Sequence, residues 1–209
     1  MDKFITIDLE GDGCSKDINQ KLFPEGGHYD PETRIWCVTF ACSEDTVTYV
    51  CKLPNRPREL PNGMMTKAYH EDATRVPDIV DGHRVKEFKV YSSFIYAVYC
   101  RIRKLKEIGF KVCFKGYGEY NYDKDMLEII FDRFKLDTSV LDCMLNVHKC
   151  TVGRWKETSR QVTTGNRIPN QEYIIRGIRH NIEDSIQLYN IVREYAQQRT
   201  DRVKEEIPA

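Results

Sequence analysis

The sequence predicts an α/β protein whose mixed sheet joins an antiparallel N-terminal meander to parallel strands and is flanked by helices. Three observations predict it. From Phe4 to Glu10 the chain alternates, with Ile5, Ile7 and Leu9 on one side of a strand and Phe4, Thr6, Asp8 and Glu10 on the other. Residues 34–42 and 45–51 are rich in β-branched and aromatic side chains around a short polar break, the pattern of an antiparallel hairpin that continues the first strand. Residues 92–108 place Ile95, Val98, Ile102 and Leu105 on one helical stripe, and the apolar run 110–114 follows directly. A helix leading into a buried strand is how parallel strands are joined.

The intervening segments are read from their punctuation. Gly11, Asp12 and Gly13 make a turn, and residues 16–31 form a polar loop. Prolines at 54, 57, 61 and 77 leave residues 53–82 without a helical or strand period, so a surface insertion is expected there, either a cover for a cleft or an excursion without a role. Gly109 ends the 92–108 helix. Arg101, Arg103, Lys104 and Lys106 beside its stripe read either as a solvated face or as a nucleic-acid contact. A second helix follows Asp123, with Met126, Leu127, Ile130 and Phe134 on its apolar side, and Asp123 stands where an N-cap would. Residues 138–145 are a short apolar stretch holding one acid, Asp142. The last element runs from Glu172 to about Gln198, one helix or two joined near Gly177, before a charged tail that is expected to fray from about residue 200.

A chain of 209 residues is expected to be one domain, spanning 1–209. Lys plus Arg equals Asp plus Glu at 32 each, so net charge neither demands a nucleic-acid partner nor argues against a local basic groove. The eight cysteines include no Cys-x-x-Cys pair, and Cys143, Cys150 and His148 fit no common zinc spacing. No basic-then-apolar leader opens the chain, and no apolar run approaches the roughly 20 residues that span a bilayer. A soluble, intracellular, cytoplasmic protein with reduced thiols is the expectation.

Chemistry is concentrated at four places. Asp8 and Glu10 are two apart on a strand and share a face, where their repulsion is costly unless a cation or proton lies between them; the alternative is a solvated edge strand ending in two acids. Asp123 stands at the entry of a helix. His180 and Asp184 are four apart and one turn from each other on the last helix, either functional or a surface hydrogen bond. Residues 149–167 interleave Lys149, Arg154, Lys156, Arg160 and Arg167 with Trp155, which suits phosphate contact and base stacking as well as it suits a plain surface.

Taken in order, these residues resemble the DEDD superfamily of 3′-to-5′ exonucleases, over residues 4 to roughly 192 apart from the 53–82 excursion. In that family a first strand supplies Asp and Glu, matched by Asp8 and Glu10. A second motif places an Asp after an aromatic and four residues before a leucine, matched by Tyr122, Asp123 and Leu127. A third places an Asp after a His or Tyr, matched by His180 and Asp184. The histidine subclass usually spaces the last pair by five residues and the tyrosine subclass by four; this chain has the histidine with the shorter spacing. Glu183 is therefore a substitute ligand to weigh against Asp184. Lys115-Gly116 stands where some members have Asn or Ser before the glycine, and Glu119 and Asp125 are rival acids nearby.

The resemblance implies a ribonuclease-H-like fold and hydrolysis of single-stranded or frayed DNA or RNA from its 3′ end to nucleoside 5′-monophosphates. It implies two divalent cations, Mg²⁺ or Mn²⁺, held by Asp8, Glu10, Asp123 and Asp184 with Asp8 bridging, and His180 as the base for the attacking water. Substrate contacts are expected from Gly11 and Gly13, where the backbone can approach a nucleotide, and from Phe40, Tyr117, Tyr120 and Trp155 as stacking side chains. A polymerase, repair or turnover complex would be its company. The competing readings are a ribonuclease-H-like endonuclease and a catalytically silent module that binds nucleic acid or protein.

Overall fold

The computed structural model describes residues 3–11, 33–43, 45–52, 75–116, 121–156 and 170–205. Its strands are β1 (Phe4–Gly11), β2 (Ile35–Ala41), β3 (Thr46–Cys51), β4 (Ile79–Val80), β5 (His83–Phe88), β6 (Lys111–Phe114) and β7 (Met144–Asn146). They form one mixed sheet in the order β4-β5-β3-β2-β1-β6-β7. The meander β1-β2-β3 is antiparallel, as its alternation predicts, while β6 lies parallel to β1 and β7 parallel to β6. Helices α1 (Tyr91–Glu107), α2 (Tyr122–Arg133), α3 (His148–Thr151) and α4 (Asn170–Glu205) flank the sheet, with a 3₁₀ turn at Thr138–Cys143.

The period of two along β1 decides what each face meets. Ile5, Ile7 and Leu9 enter a core with Phe94, Ile95, Val98 and Ile102 of α1 and Leu127, Ile130 and Phe131 of α2. The opposite side faces α4: the Thr6 hydroxyl donates to the Ser185 carbonyl at 2.7 Å, and the rings of Phe4 and Tyr189 stack 5.1 Å apart. On the same side of the sheet Trp36 packs with Val76, Val80, Ile174, Ile178 and Ile182. β1 is therefore a central strand covered on both faces, which rules out a solvated edge strand for Asp8 and Glu10.

Other expectations are refined. Gly109 has φ +78°, and the amides of Gly109 and Phe110 donate back to the carbonyls of Lys106 and Leu105, a Schellman end to α1. Of the basic side chains of α1, Arg103 pairs with Glu107 and Lys106 with Asp142. The part of the expected 53–82 insertion that is described, from residue 75 on, is built into the fold, because Val76 and Val80 are buried and β4 pairs with β5. Residues 53–74 lie outside the described residues. β5 has no clear alternation of its own and is stabilised by parallel pairing with β3. The last helix is unbroken through Gly177 and continues to Glu205, beyond the start of the expected tail. Among the described residues no helix is long and apolar enough to cross a membrane.

Candidate active site

Three elements bring acids to one place. β1 carries Asp8 and Glu10 on its α4 side, and its register with β2 shifts between Glu10 and Gly11. A Cβ on Gly11 would lie 3.2 Å from the Arg34 carbonyl and 3.3 Å from the Tyr122 hydroxyl, so the protein's own packing leaves little room for a side chain here. Gly13, Tyr117, Tyr120 and the rival acid Glu119 lie outside the described residues.

Asp123 does not cap α2. That position belongs to Asn121, whose carbonyl accepts the Asp125 amide at 2.9 Å, and Asp123 is the second residue of the helix. Its side chain is buried instead, 5 % exposed, and it senses the charges of Glu10 and Asp184. Leu127, one turn on, is wholly buried and anchors this end of the helix in the core. Asn146 at the end of β7 ties the neighbourhood together: its carbonyl oxygen accepts the amides of Gly116 and His148, and its amide donates to Asn121 Oδ1 at 2.7 Å. The start of α2 is thereby held to the loop that follows β6.

α4 supplies the rest. His180 Nε2 lies 3.8 Å from Glu10 Oε1 and 3.8 Å from Asp184 Oδ2, between an acid of the strand and an acid of its own helix. Asp184 acts on both Asp8 and Asp123, whereas Glu183 acts on Arg179, which is bonded to Asp81. The four-residue spacing thus brings Asp184 to the other acids.

The electrostatics follow from crowding. Burial, then the charges of Asp123, Asp184 and Glu10, hold the Asp8 carboxyl well above the usual carboxylate range. Burial and Glu10 do the same to Asp123. Lys115 opposes both shifts. Burial, with Glu10 and Asp8 nearby, pushes the Cys37 thiol well up, so it remains protonated. Like-charged carboxylates gathered in a poorly solvated place call for protons or a cation.

The donors fit a hard divalent cation in kind, being carboxylate oxygens with an imidazole beside them. Among the described residues, however, no group of three or more His, Cys, Asp or Glu is drawn into a ligand set.

Two expected stacking residues are placed differently. Phe40 is wholly buried in the core and cannot meet a base. Trp155 is half-buried, and Lys115 Nζ sits 3.8 Å from the centroid of its ring, so this face carries a cation. Sequence reasoning missed Lys115 as a member of the site, and also Asn181, whose amide donates to Asp8 Oδ2 at 2.6 Å. The available signal for Asn181 was a polar residue at four-residue spacing from Gly177 and Ser185 inside an apolar stripe. Neither a family model nor a curated protein matches the chain.

Proposed function

We propose that the protein is a divalent-metal-dependent 3′-to-5′ exonuclease on a ribonuclease-H-like domain, acting on single-stranded or frayed DNA or RNA and releasing nucleoside 5′-monophosphates. One observation carries this reading: His180 Nε2 of α4 lies 3.8 Å from Glu10 Oε1 of β1 and 3.8 Å from Asp184 Oδ2, and the carboxyls of Asp8 and of Asp123 on α2 sense the charges of that same Glu10 and Asp184. The strand order supports the finer fold, since an antiparallel β3-β2-β1 run continued by parallel β6 and β7 is what such a core requires.

Each residue has a task in this reading. Asp8, Glu10, Asp123 and Asp184 would hold Mg²⁺ or Mn²⁺ through hard oxygen donors. Bound cations would supply the Lewis acidity and charge neutralisation that phosphodiester hydrolysis needs. His180 accepts the proton of the attacking water, for which an imidazole is suited near neutral pH. Lys115, lying against the Trp155 ring, faces a phosphate of the strand end as a point charge.

The test is digestion of 3′-labelled and 5′-labelled single-stranded DNA and RNA with Mg²⁺ or Mn²⁺, comparing the wild type with Asp8→Ala. Stepwise release of mononucleotides from the 3′ end, abolished by Asp8→Ala, is the expected result. Internal cuts would replace the proposal with an endonuclease. Binding of strands without cleavage would replace it with a silent module.

A further inference from the structure

Beside the acids lies a buried polar side chain, Asn181. Asn181 is wholly buried on α4, between the core residues Ile178 and Ile182. An amide in such a place is costly unless its hydrogen bonds are made. Both ends of this one are engaged. Nδ2 donates to Asp8 Oδ2 at 2.6 Å, and Oδ1 accepts the Cys37 thiol at 3.6 Å.

The geometry is that of a tether. Cys37 lies on β2 directly across from Glu10, so the thiol that sets the amide comes from the strand beside the acids. The amide's orientation follows from its partners, because the thiol needs an acceptor and the carboxylate a donor. Glu10, Asp123 and Asp184 all push on the Asp8 carboxylate. A carboxylate repelled by three neighbours turns away about its side-chain bonds unless something holds it. Lys115 draws on it from a distance, and the Asn181 amide gives it a direct hydrogen bond. An Asp at 181 would add another repelling charge, and a Leu of similar size would offer no donor.

We infer that Asn181 is a positioning residue for Asp8: its amide, set by the Cys37 thiol, keeps the Asp8 carboxylate in the orientation that serves a divalent cation. The inference rests on the reading of the four acids as cation ligands. Outer partners that orient a ligand typically affect metal affinity by 10–100-fold when they are removed.

The experiment is a titration of the full chain with Mn²⁺ alone, without nucleic acid, read by the electron paramagnetic resonance signal of the unbound ion. Wild type is expected to bind, and Asn181→Leu to bind about 10–100-fold more weakly. Circular dichroism reports whether that variant folds; if it does not, Asn181→Ser decides, because its hydroxyl falls short of Asp8 and the same loss is expected. Kinetics on a labelled oligonucleotide then show a lowered kcat at subsaturating Mn²⁺ with KM for the strand unchanged. Wild-type binding with undiminished affinity in the folded variant overturns the inference and leaves the ligand reading standing. No Mn²⁺ binding by the wild type overturns both.

Discussion

Trp36 occupies the space that a side chain on Gly177 would need: a Cβ there would lie 2.5 Å from Trp36 Cη2 and 2.9 Å from Cζ2. The missing side chain lets α4 lie close over the sheet. At the next steps of four residues, Asn181 meets Asp8 and Cys37, and Ser185 meets Thr6 and Thr39. The close approach of helix and sheet is thus what delivers His180 and Asp184 to the acids of β1.

Gly177→Ala is therefore expected to destabilise the protein. In an open helix the same change would stabilise by about 1 kcal/mol. Here the methyl group meets the edge of a buried indole, and overpacking of this kind costs about 1–3 kcal/mol. Urea unfolding measures the difference, and a gain in stability would show that Trp36 moves aside.

Asp8→Asn should raise the stability of the metal-free protein near neutral pH. The sign follows from linkage: Asp8 and Asp123 have raised pKa values in the folded chain, so the folded state holds more protons than the unfolded one, and stability falls as pH rises above the ordinary carboxylate value of 3.8. Replacing Asp8 removes part of that loss. A gain of about 1 kcal/mol, or roughly 2–4 °C in Tm, is expected at pH 7 and should vanish below the ordinary carboxylate range. Thermal melts across pH with a chelator present would read it. A variant that melts lower than wild type at pH 7 would mean that Asp8 is stabilised by its partners more than it is repelled by its neighbours.

His180→Ala should lower kcat by about 10²–10⁴-fold, the usual worth of a positioned base, with little change in KM for the oligonucleotide. His180→Gln keeps the volume and is expected to be equally slow. Full retention of the rate in either variant removes His180 from the reaction and leaves it as a companion of Glu10 and Asp184.

Lys115→Ala should weaken binding of a single strand and reduce its salt dependence. Each phosphate neutralised on a single strand adds about 0.7 to the slope of log K against log salt. The slope should flatten by about that amount in Lys115→Ala and stay near wild type in Lys115→Arg. Trp155→Leu removes the ring against which the ammonium rests and should produce part of the same change. An unaltered slope would assign Lys115 to balancing Asp8 and Asp123 alone.

Much of the fold is legible because it depends on local periodicity. The alternation of Phe4 to Glu10, the β-branched runs of β2 and β3 and the stripe of α1 each report which face of an element is apolar, and the structure buries those faces. β5 was not legible, since its sequence His-Arg-Val-Lys-Glu-Phe takes its state from pairing with β3. Asp123 shows a finer limit. The sequence marks it as an acid at a helix entry, but its burial and its exposure to the charges of Glu10 and Asp184 come from elements far away in the chain.

By itself, then, the sequence determines that Asp8 and Glu10 share a face, that His180 and Asp184 lie one turn apart, and which stripes must be buried. These are properties of strand and helix periods, set within a few residues of each other. Only the tertiary structure decides that the two pairs meet, that Trp36 needs a glycine at 177, that Lys115 lies against Trp155 and that Asn181 holds Asp8. A buried polar or glycine residue is unfavourable on its own element, and its reason lies in a partner that the chain brings from far away.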